Sequence, residues 1–418
     1  MKNSFLKQFK NEDWIATLMG AILVALVIFV PTLGKVKYQF PEGYPEWFAK
    51  VPFEITKLLF VSVLSAIGLK ILGVKMKWFP LSFLFVYGLS FLAQYITGLS
   101  FIKVTGFEAV FFSVAFGLII RNFFGLPKWL EPAVRSEYYI KAGLVILGTS
   151  IIFREIMKAG AYGMVQAVVV VMAVWYFSFW LSKKFKVDRE MGALLSSAVS
   201  ICGVSAAIAT SGAIKGDSKK LSFVISLVLV VAVPMMYFMP FLAKLIGLSP
   251  EVAGAWMGGT IDTTGAVVAA GKFLGPIAES QSVIIKSAQN VLLGVAAFAI
   301  SLYWSYKGTN TDIKPSAGVL WERFPKFVLG FILASVVFSF FMEPETVKGV
   351  KDAAKGLRET LFSVAFVSIG LETDFKHIFK KENNRYIATF LIAQTFNILF
   401  TLLVAWLLFG KYEFSFGW

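Results

Sequence analysis

The chain has 418 residues, of which 57% are hydrophobic and 16% charged, and its mean hydropathy is +0.74. This composition excludes an ordinary soluble domain and predicts an all-α polytopic membrane protein embedded in a lipid bilayer. A single cysteine and a single histidine argue against a disulfide framework and against a metal centre built from these residues. The net charge of +15 lies in short loops between apolar segments, which predicts membrane orientation rather than binding of nucleic acid.

Apolar segments long enough to cross a bilayer recur along the whole chain, and we expect about 13 transmembrane helices. They are predicted at 13–33, 53–73, 78–98, 107–125, 136–156, 159–182, 190–213, 221–247, 251–272, 282–304, 325–342, 357–374 and 385–410. Positive residues such as Lys183 and Lys184 fall in the loops that this count places inside. We therefore expect a multi-pass protein of the inner membrane with a cytoplasmic N-terminus.

Small and polar residues interrupt the span predicted at 190–213. Ser200, Cys202, Gly203 and Ser205 lie at its centre, where glycine weakens a helix and hydroxyl groups compete for its hydrogen bonds. Irregular backbone at membrane depth is tolerated only inside protein or beside a water-filled cavity. The interruption predicts a discontinuous helix that handles substrate in a transporter. Close packing of a neighbouring helix on small residues is the alternative.

A similar interruption recurs in the span predicted at 251–272. The segment ICGVSAAIA at 201–209 aligns with IDTTGAVVA at 261–269. Internal repetition of this kind is typical of secondary transporters. Only one predicted span separates the two segments, so two spanning helices would run in the same direction, whereas an inverted repeat requires opposite directions. Either the local count of spans is wrong or the inverted partner lies elsewhere.

Asp262 is a charged residue at the centre of the span predicted at 251–272, whose other charged residues, Glu251 and Lys272, lie at its two ends. An ionised carboxylate there is costly unless it is paired, hydrated or bound to an ion. If the next helix runs antiparallel, Asp262 lies level with Gln289 and Asn290, and Lys286 lies one turn nearer the surface. The hypothesis is a coupling site at Asp262 and Lys286 for H⁺ or Na⁺, with any Na⁺ near Asp262 and no other metal. A structural polar lock between two helices is the alternative.

Four stretches resemble the YeiH-like sulfate exporter family. They are ICGVSAAIAT with the following KGDSKKLSF, AWMGGTIDTTGAVVAAG at 255–271, VIIKSAQNVLL at 283–293 and SIGLETDF at 368–375. The first block is also similar to bile-acid/sodium symporters, and both families are grouped with the cation/proton antiporters. The resemblance implies two inverted repeats with broken crossing helices, arranged as a core and a panel domain. Family members commonly carry histidine where this chain has Asp262 and arginine where it has Gln289, whereas Lys286 matches.

The resemblance and the pattern of spans together predict the organisation of the chain. We expect divergent or added spans at 1–106, a first repeat with the central polar helices at 107–304, a linker at 305–324, and the C-terminal part of the second repeat at 325–418. Transporters of this architecture are often dimers, so by analogy a homodimer is expected.

The favoured function is secondary active transport of a small anion: sulfate, sulfite, or a small sulfonate or carboxylate. The transporter would be coupled to H⁺ or Na⁺ and move its core by an elevator or rocking motion. The predicted substrate-binding residues are Ser200, Cys202, Gly203, Val204, Ser205, Thr263, Thr264, Gly265, Lys286, Gln289 and Asn290.

Two other functions stay open at this point. One is a cation/proton antiporter that uses Asp262 and Lys286 and binds no anion. The other is a channel or a membrane enzyme. We expect no enzyme, because the sequence has neither a nucleotide-binding loop nor a Ser-His or Cys-His pattern. We also expect no cofactor beyond the coupling ion.

Overall fold

The structure is a computed structural model that describes residues 11–29, 44–99, 109–151, 153–306, 321, 324–375 and 383–410. These residues form α-helices with short 3-10 and π turns, and no β-strand occurs among them. The predicted all-α class is therefore confirmed. Most of the predicted linker, 307–320 and 322–323, lies outside the described residues.

The described α-helices are labelled here in chain order. They are α1 Glu12–Phe29, α2 Tyr44–Ile71, α3 Phe79–Gly98, α4 Ala109–Ile119, α5 Ser136–Leu147, α6 Phe153–Lys184, α7 Arg189–Ser200, α8 Val204–Ile214, α9 Ser218–Leu245, α10 Pro250–Thr260, α11 Thr264–Phe273, α12 Pro276–Tyr306, α13 Lys326–Val336, α14 Pro344–Glu372 and α15 Asn384–Phe409.

Six stretches of the described chain are long and apolar enough to cross a membrane. They are Glu12–Phe29, Met76–Thr97, Ala159–Lys184, Ser218–Leu245, Pro276–Trp304 and Asn384–Phe409. Each overlaps one of the predicted spans. Other predicted spans contain shorter apolar helices, such as Lys326–Phe341. The predicted total of about 13 spans is not confirmed.

The chain divides into two compact units. The first comprises Met1–Ile156 and Pro325–Thr373, and the second comprises Met157–Phe324 and Asp374–Trp418. This division is based on spatial compactness. The predicted segments 1–106, 107–304, 305–324 and 325–418 concern repeats along the sequence and stay a prediction.

In the first unit, polar contacts tie α5 to the ends of α1 and α14. Lys141 on α5 forms ion pairs of 2.8 Å with both Glu12 and Asp13 of α1. At the start of α5, Glu372 accepts hydrogen bonds from the backbone N–H of Ser136, at 3.0 Å, and from its hydroxyl. The first N–H groups of a helix have no intrahelical acceptor, so this carboxylate caps α5 from a neighbouring helix.

In the second unit, α7 and α8 fold back on each other as a hairpin, called hairpin 1 (189–214). Lys220 lies in the first turn of α9, six residues after the end of α8. It donates hydrogen bonds to Asp188 at 2.7 Å and to Glu190 at 2.9 Å, and both carboxylates are at the start of α7. Glu190 also accepts a hydrogen bond from the backbone N–H of Asp217. If α7 and α8 continued in line, these ends would be more than ~30 Å apart. The turn between the helices contains Gly203, whose φ of +59° and ψ of −104° suit only glycine.

Residues 250–273 form a second hairpin, hairpin 2, from α10 and α11. Ser249 caps the start of α10, and Thr263 caps the start of α11 by accepting a hydrogen bond from Ala266 N at 3.3 Å. A methyl group on Gly254 of α10 and one on Gly271 of α11 would lie 2.7 Å and 3.1 Å from the same carbonyl oxygen of Ala278. The start of α10 and the end of α11 are therefore neighbours on α12.

The hairpins enter the second unit from opposite ends and meet at their tips. Hairpin 1 has its base at the start of α9, and hairpin 2 begins after the end of α9, a helix of 28 residues or about 42 Å. A methyl group on Gly203 would lie 3.2 Å from Cβ of Asp262 and 2.6 Å from Cγ1 of Val228, near the middle of α9. The tips of both hairpins thus touch beside the centre of α9.

This arrangement corrects the prediction that 190–213 and 251–272 are spanning, crossing helices. Each half-helix has only 10 to 12 residues. Such a helix is at most ~18 Å long and reaches about halfway through a hydrocarbon core of ~30 Å. The hairpin arrangement also removes the difficulty that two spanning helices at these positions would run in the same direction. Since each hairpin returns to its own side, hairpin 1 with α9 runs in the opposite direction to hairpin 2 with α12.

Candidate functional site

The predicted site residues converge where the two hairpin tips meet α12. Cys202 and Gly203 lie in the tip of hairpin 1, and Asp262 and Thr263 lie in the tip of hairpin 2. The remaining predicted residues are in the helices around the tips: Ser200 at the end of α7, Val204 and Ser205 at the start of α8, Thr264 and Gly265 at the start of α11, and Lys286, Gln289 and Asn290 on α12. All are buried except Val204 and Ser205, which are partly exposed.

Lys286 joins the two tips through backbone carbonyl groups. Its Nζ donates hydrogen bonds to the carbonyl oxygen of Ile201 at 2.6 Å and to that of Ile261 at 2.8 Å, and a third to Oε1 of Gln289 at 2.9 Å. An ammonium group has three N–H donors, so these acceptors use all of them. The side chain is only 1% exposed. A ligand at the tips would therefore interact with Lys286 through its charge rather than through a direct hydrogen bond.

Gln289 makes a second bridge, to carbonyl groups one residue earlier in hairpin 1 and two residues earlier in hairpin 2. Its Nε2 donates hydrogen bonds to the carbonyl oxygen of Ser200 at 2.8 Å and to that of Gly259 at 3.2 Å. The hydroxyl of Ser200 is turned inward and donates to Ser196 O at 2.7 Å. Ser200 thus contributes its backbone carbonyl to the bridge, while its hydroxyl satisfies its own helix.

A third bridge comes from α15, a helix that sequence reasoning did not assign to the site. Nδ2 of Asn397 donates hydrogen bonds to the carbonyl oxygen of Val199 at 3.0 Å and to that of Thr260 at 3.2 Å. Nε2 of Gln394 donates to the same Thr260 oxygen at 3.0 Å. The signal in the sequence was the presence of two amides within an apolar span.

The second half of each hairpin begins at the tips. α8 starts at Val204, and the backbone N–H of Ala207 donates its hydrogen bond to the carbonyl oxygen of Gly203 in the tip. α11 starts at Thr264. The N–H groups in the first turn of a helix have no intrahelical acceptor and carry a partial positive charge. The N-termini of α8 and α11 therefore lie side by side in the middle of the second unit.

Several buried oxygen atoms around the tip of hairpin 2 have no hydrogen-bond partner within the described part of the chain. They are Oδ2 of Asp262, Oγ1 of Thr260, Oδ1 of Asn290 and Oε1 of Gln394. Asn290 also donates a long hydrogen bond of 3.4 Å to Thr264 Oγ1. An unsatisfied buried acceptor costs about 1–3 kcal/mol. This oxygen-rich region suits a proton or a small cation.

The described residues contain no group of three or more His, Cys, Asp and Glu side chains that could hold a metal ion.

The predicted placement of Asp262 level with Gln289 and Asn290 assumed a spanning helix. In the hairpin, α10 lies parallel to α12, because Gly254 packs on Ala278 and Gly258 on Ser282. α11 returns antiparallel to α12, because Gly271 packs on Ser282 while Thr264 contacts Asn290. The acceptors of Lys286 are accordingly tip carbonyls and Gln289.

Comparison with known proteins identifies the family. A family model described as conserved hypothetical protein 698 matches residues 81–389. The chain belongs to this family. It is 36% identical over 362 residues to a UPF0324 membrane protein of Rhodopirellula baltica, an alignment that covers 84% of this chain and 67% of the relative. No solved structure matches this chain.

Two UPF0324 membrane proteins of Nitratidesulfovibrio vulgaris are 36% and 38% identical to it. These alignments cover 84% and 82% of this chain but only 63% and 62% of the relatives, so the chain spans less than two thirds of their length. The relatives' names and the six apolar helices support a multi-pass membrane protein. The names mention no substrate, and the sulfate-exporter resemblance stays a prediction.

Proposed function

We propose that this protein is a secondary active transporter of a small anion across the inner membrane, coupled to H⁺ or Na⁺. The candidate substrates are sulfate, sulfite, and small sulfonates or carboxylates. The observation that carries the proposal is the meeting of two helix N-termini, the partly exposed one of α8 and the buried one of α11, at the tips of the hairpins. Helix N-termini at discontinuous helices are suited to anionic groups.

A count of charges at the tips favours binding of an anion together with a coupling ion. Each helix N-terminus carries about half a positive charge and each C-terminus about half a negative charge. The ammonium of Lys286 offsets the C-termini of α7 and α10, to whose ends it is hydrogen-bonded. With Asp262 ionised, the N-termini and the carboxylate sum to about zero, and with Asp262 neutralised the sum is about +1. An anion is then held more tightly when Asp262 carries a proton or Na⁺.

The partnerless oxygens around Asp262 support the same coupling site. When Asp262 is protonated, its O–H can donate a hydrogen bond to a neighbouring acceptor oxygen. Na⁺ would instead take carboxylate, amide and hydroxyl oxygens as ligands. Either ion would satisfy groups that are otherwise costly to bury. Asp262 is therefore assigned the coupling role, and Ser205, Thr263 and Thr264 the contacts to the anion.

The opposite directions of the two hairpin–helix segments support an inverted repeat within the second unit. This repeat would present one hairpin to each side of the membrane, as alternating access requires. It would replace the crossing helices inferred from the family resemblance. A core that moves against a panel, and a homodimer, remain part of the proposal.

A cation/proton antiporter is the second candidate, favoured by the buried Asp262 and its partnerless Oδ2. In that case no anion would bind, and the N-termini of α8 and α11 would have only a structural role in the hairpin tips.

Thermal unfolding of the detergent-purified protein in a panel of anions tests the proposal. A ligand that binds only the folded protein raises its apparent melting temperature. Sulfate, sulfite or a small sulfonate or carboxylate should stabilise the wild type, more so when H⁺ or Na⁺ is abundant. Ser205→Leu should abolish the shift, whereas the matched control Ser226→Leu, on α9, should keep it.

Asp262→Asn separates the two candidates. For an anion transporter, the variant should still be stabilised by the anion, because a neutral side chain mimics the coupled state, and the dependence on pH or Na⁺ should disappear. Stabilisation of the wild type by Na⁺ or pH alone, absent in Asp262→Asn and indifferent to every anion, would favour the antiporter.

A further inference from the structure

The ammonium of Lys286 sits in a ring of oxygen atoms of the kind that binds cations in transporters. Two of its acceptors are backbone carbonyls at the hairpin tips, those of Ile201 and Ile261, and the third is the amide oxygen of Gln289. Unwound backbone carbonyls and the C-terminal ends of half-helices coordinate coupling cations in discontinuous transporter helices. Here the chain's own cation occupies such a place.

The charge of the ring matches one monovalent cation. α7 ends at Ser200 and α10 at Thr260, and each helix C-terminus contributes about half a negative charge. Together they supply about one negative charge, which a single ammonium balances. Since Lys286 is only 1% exposed, bulk solvent does not provide this compensation.

Two amide side chains also join the hairpins, independently of Nζ of Lys286. Gln289 bridges the carbonyls of Ser200 and Gly259, and Asn397 bridges those of Val199 and Thr260. Neither bridge to the carbonyls involves Nζ, so we expect both to persist when the lysine is truncated. The oxygens that face Nζ would then remain converged and carry an uncompensated negative charge.

We propose that Lys286 is a tethered cation that fills a monovalent-cation site formed by the two hairpin tips. This deepens the proposed function and rests on it in one respect, namely that the tips form the transport site. It assigns Lys286 to positioning the tips in place of a bound coupling ion, separate from the coupling at Asp262.

The geometry also predicts which ions replace the lysine. The three distances from Nζ to oxygen, 2.6 to 2.9 Å, are those of an ammonium ion. The K⁺ ion is close to ammonium in size, whereas Na⁺ and Li⁺ are smaller and would leave the oxygens too far away. Truncation of the lysine should therefore create a site that prefers ammonium and K⁺.

The test compares Lys286→Ala with Lys286→Met, both in the Asp262→Asn background, which removes the proposed coupling site. Both substitutions delete the charge, but only alanine leaves room for an ion. Apparent melting temperatures are measured in ammonium, potassium, sodium and N-methyl-D-glucamine chloride at equal ionic strength. We expect a saturable rise of roughly 5 °C for Lys286→Ala in ammonium or potassium chloride. Lys286→Met and the parent Asp262→Asn protein should respond alike to all four salts.

Equal melting temperatures of Lys286→Ala in all four salts would overturn the proposal. An equal rise in Lys286→Met would also overturn it, because the ion would then act elsewhere. If Lys286→Ala is recovered poorly, the monodisperse fraction of a fluorescent fusion after extraction is compared instead. Recovery must then be greater in ammonium or potassium chloride than in N-methyl-D-glucamine chloride, and equal recovery counts against the proposal. None of these readouts depends on anion binding, so a failed anion panel and a failed lysine test are distinguishable.

Discussion

Replacement of Gly203 by alanine tests the contact between the hairpin tips. The backbone angles of Gly203, φ +59° and ψ −104°, cost an L-residue about 1–3 kcal/mol. In addition, the new methyl group would lie 2.6 Å from Val228 Cγ1 and 3.2 Å from Asp262 Cβ. Overpacking of this kind costs a further ~1–3 kcal/mol. The total is about 2–6 kcal/mol in the second unit.

Gly247→Ala is the matched control. Gly247 also has a positive φ, +68°, but a methyl group there would meet nothing within 4 Å. It should lose only the backbone cost of ~1–2 kcal/mol. Both variants carry the backbone cost, so they differ by the overpacking of ~1–3 kcal/mol. At roughly 2–4 °C per kcal/mol for a unit of this size, Gly203→Ala should melt some 2–12 °C below Gly247→Ala. Thermal unfolding followed by tryptophan fluorescence measures the difference, and equal melting temperatures would refute the contact between the tips.

Two further predictions concern the base and the bridge of the hairpins. Lys220→Gln removes the ion pairs that close the base of hairpin 1. Maleimide should then alkylate Cys202, the single cysteine of the chain, several times faster than in the control Lys219→Gln. Equal rates of alkylation would mean that these ion pairs do not hold the hairpin closed. Asn397→Leu leaves the carbonyl of Val199 without this donor, at a cost of ~1–3 kcal/mol, whereas the carbonyl of Thr260 keeps its hydrogen bond from Gln394. The variant should therefore melt below Thr395→Val, whose hydroxyl bonds only within its own helix. Comparable melting temperatures would argue against the α15 bridge.

The breaks in the two helices could be read from the sequence, but their path could not. Gly203 and the hydroxyl-rich segment beside it predicted an interruption, and the structure has one at each aligned segment. Hydropathy and helical periodicity are local properties, so they cannot distinguish half-helices in line from half-helices folded back. The relevant clue was the charge pattern around Asp188, Glu190 and Lys220, which now closes the base of hairpin 1.

The bridges between the hairpins were only partly predictable. Lys286 and Gln289 attracted attention because they are polar residues in an apolar segment close in sequence to Asp262. Asn397 is equally polar but follows in a distant helix, and no local pattern relates it to the tips. Asn397 donates to backbone carbonyl groups, and every residue has such a group. The sequence therefore does not show which carbonyls it contacts.

The most direct test of anion transport is an ion-flux measurement in proteoliposomes that contain a trapped pH-sensitive dye, with a Na⁺-sensitive dye in parallel. Sulfate, sulfite, and small sulfonates and carboxylates are added outside one at a time. The account predicts that at least one of them drives H⁺ or Na⁺ movement across the membrane in the wild type, and that Asp262→Asn abolishes this movement. An ion flux that is the same with and without every anion would contradict the account, and if Asp262→Asn abolished that flux, the cation/proton antiporter would be favoured.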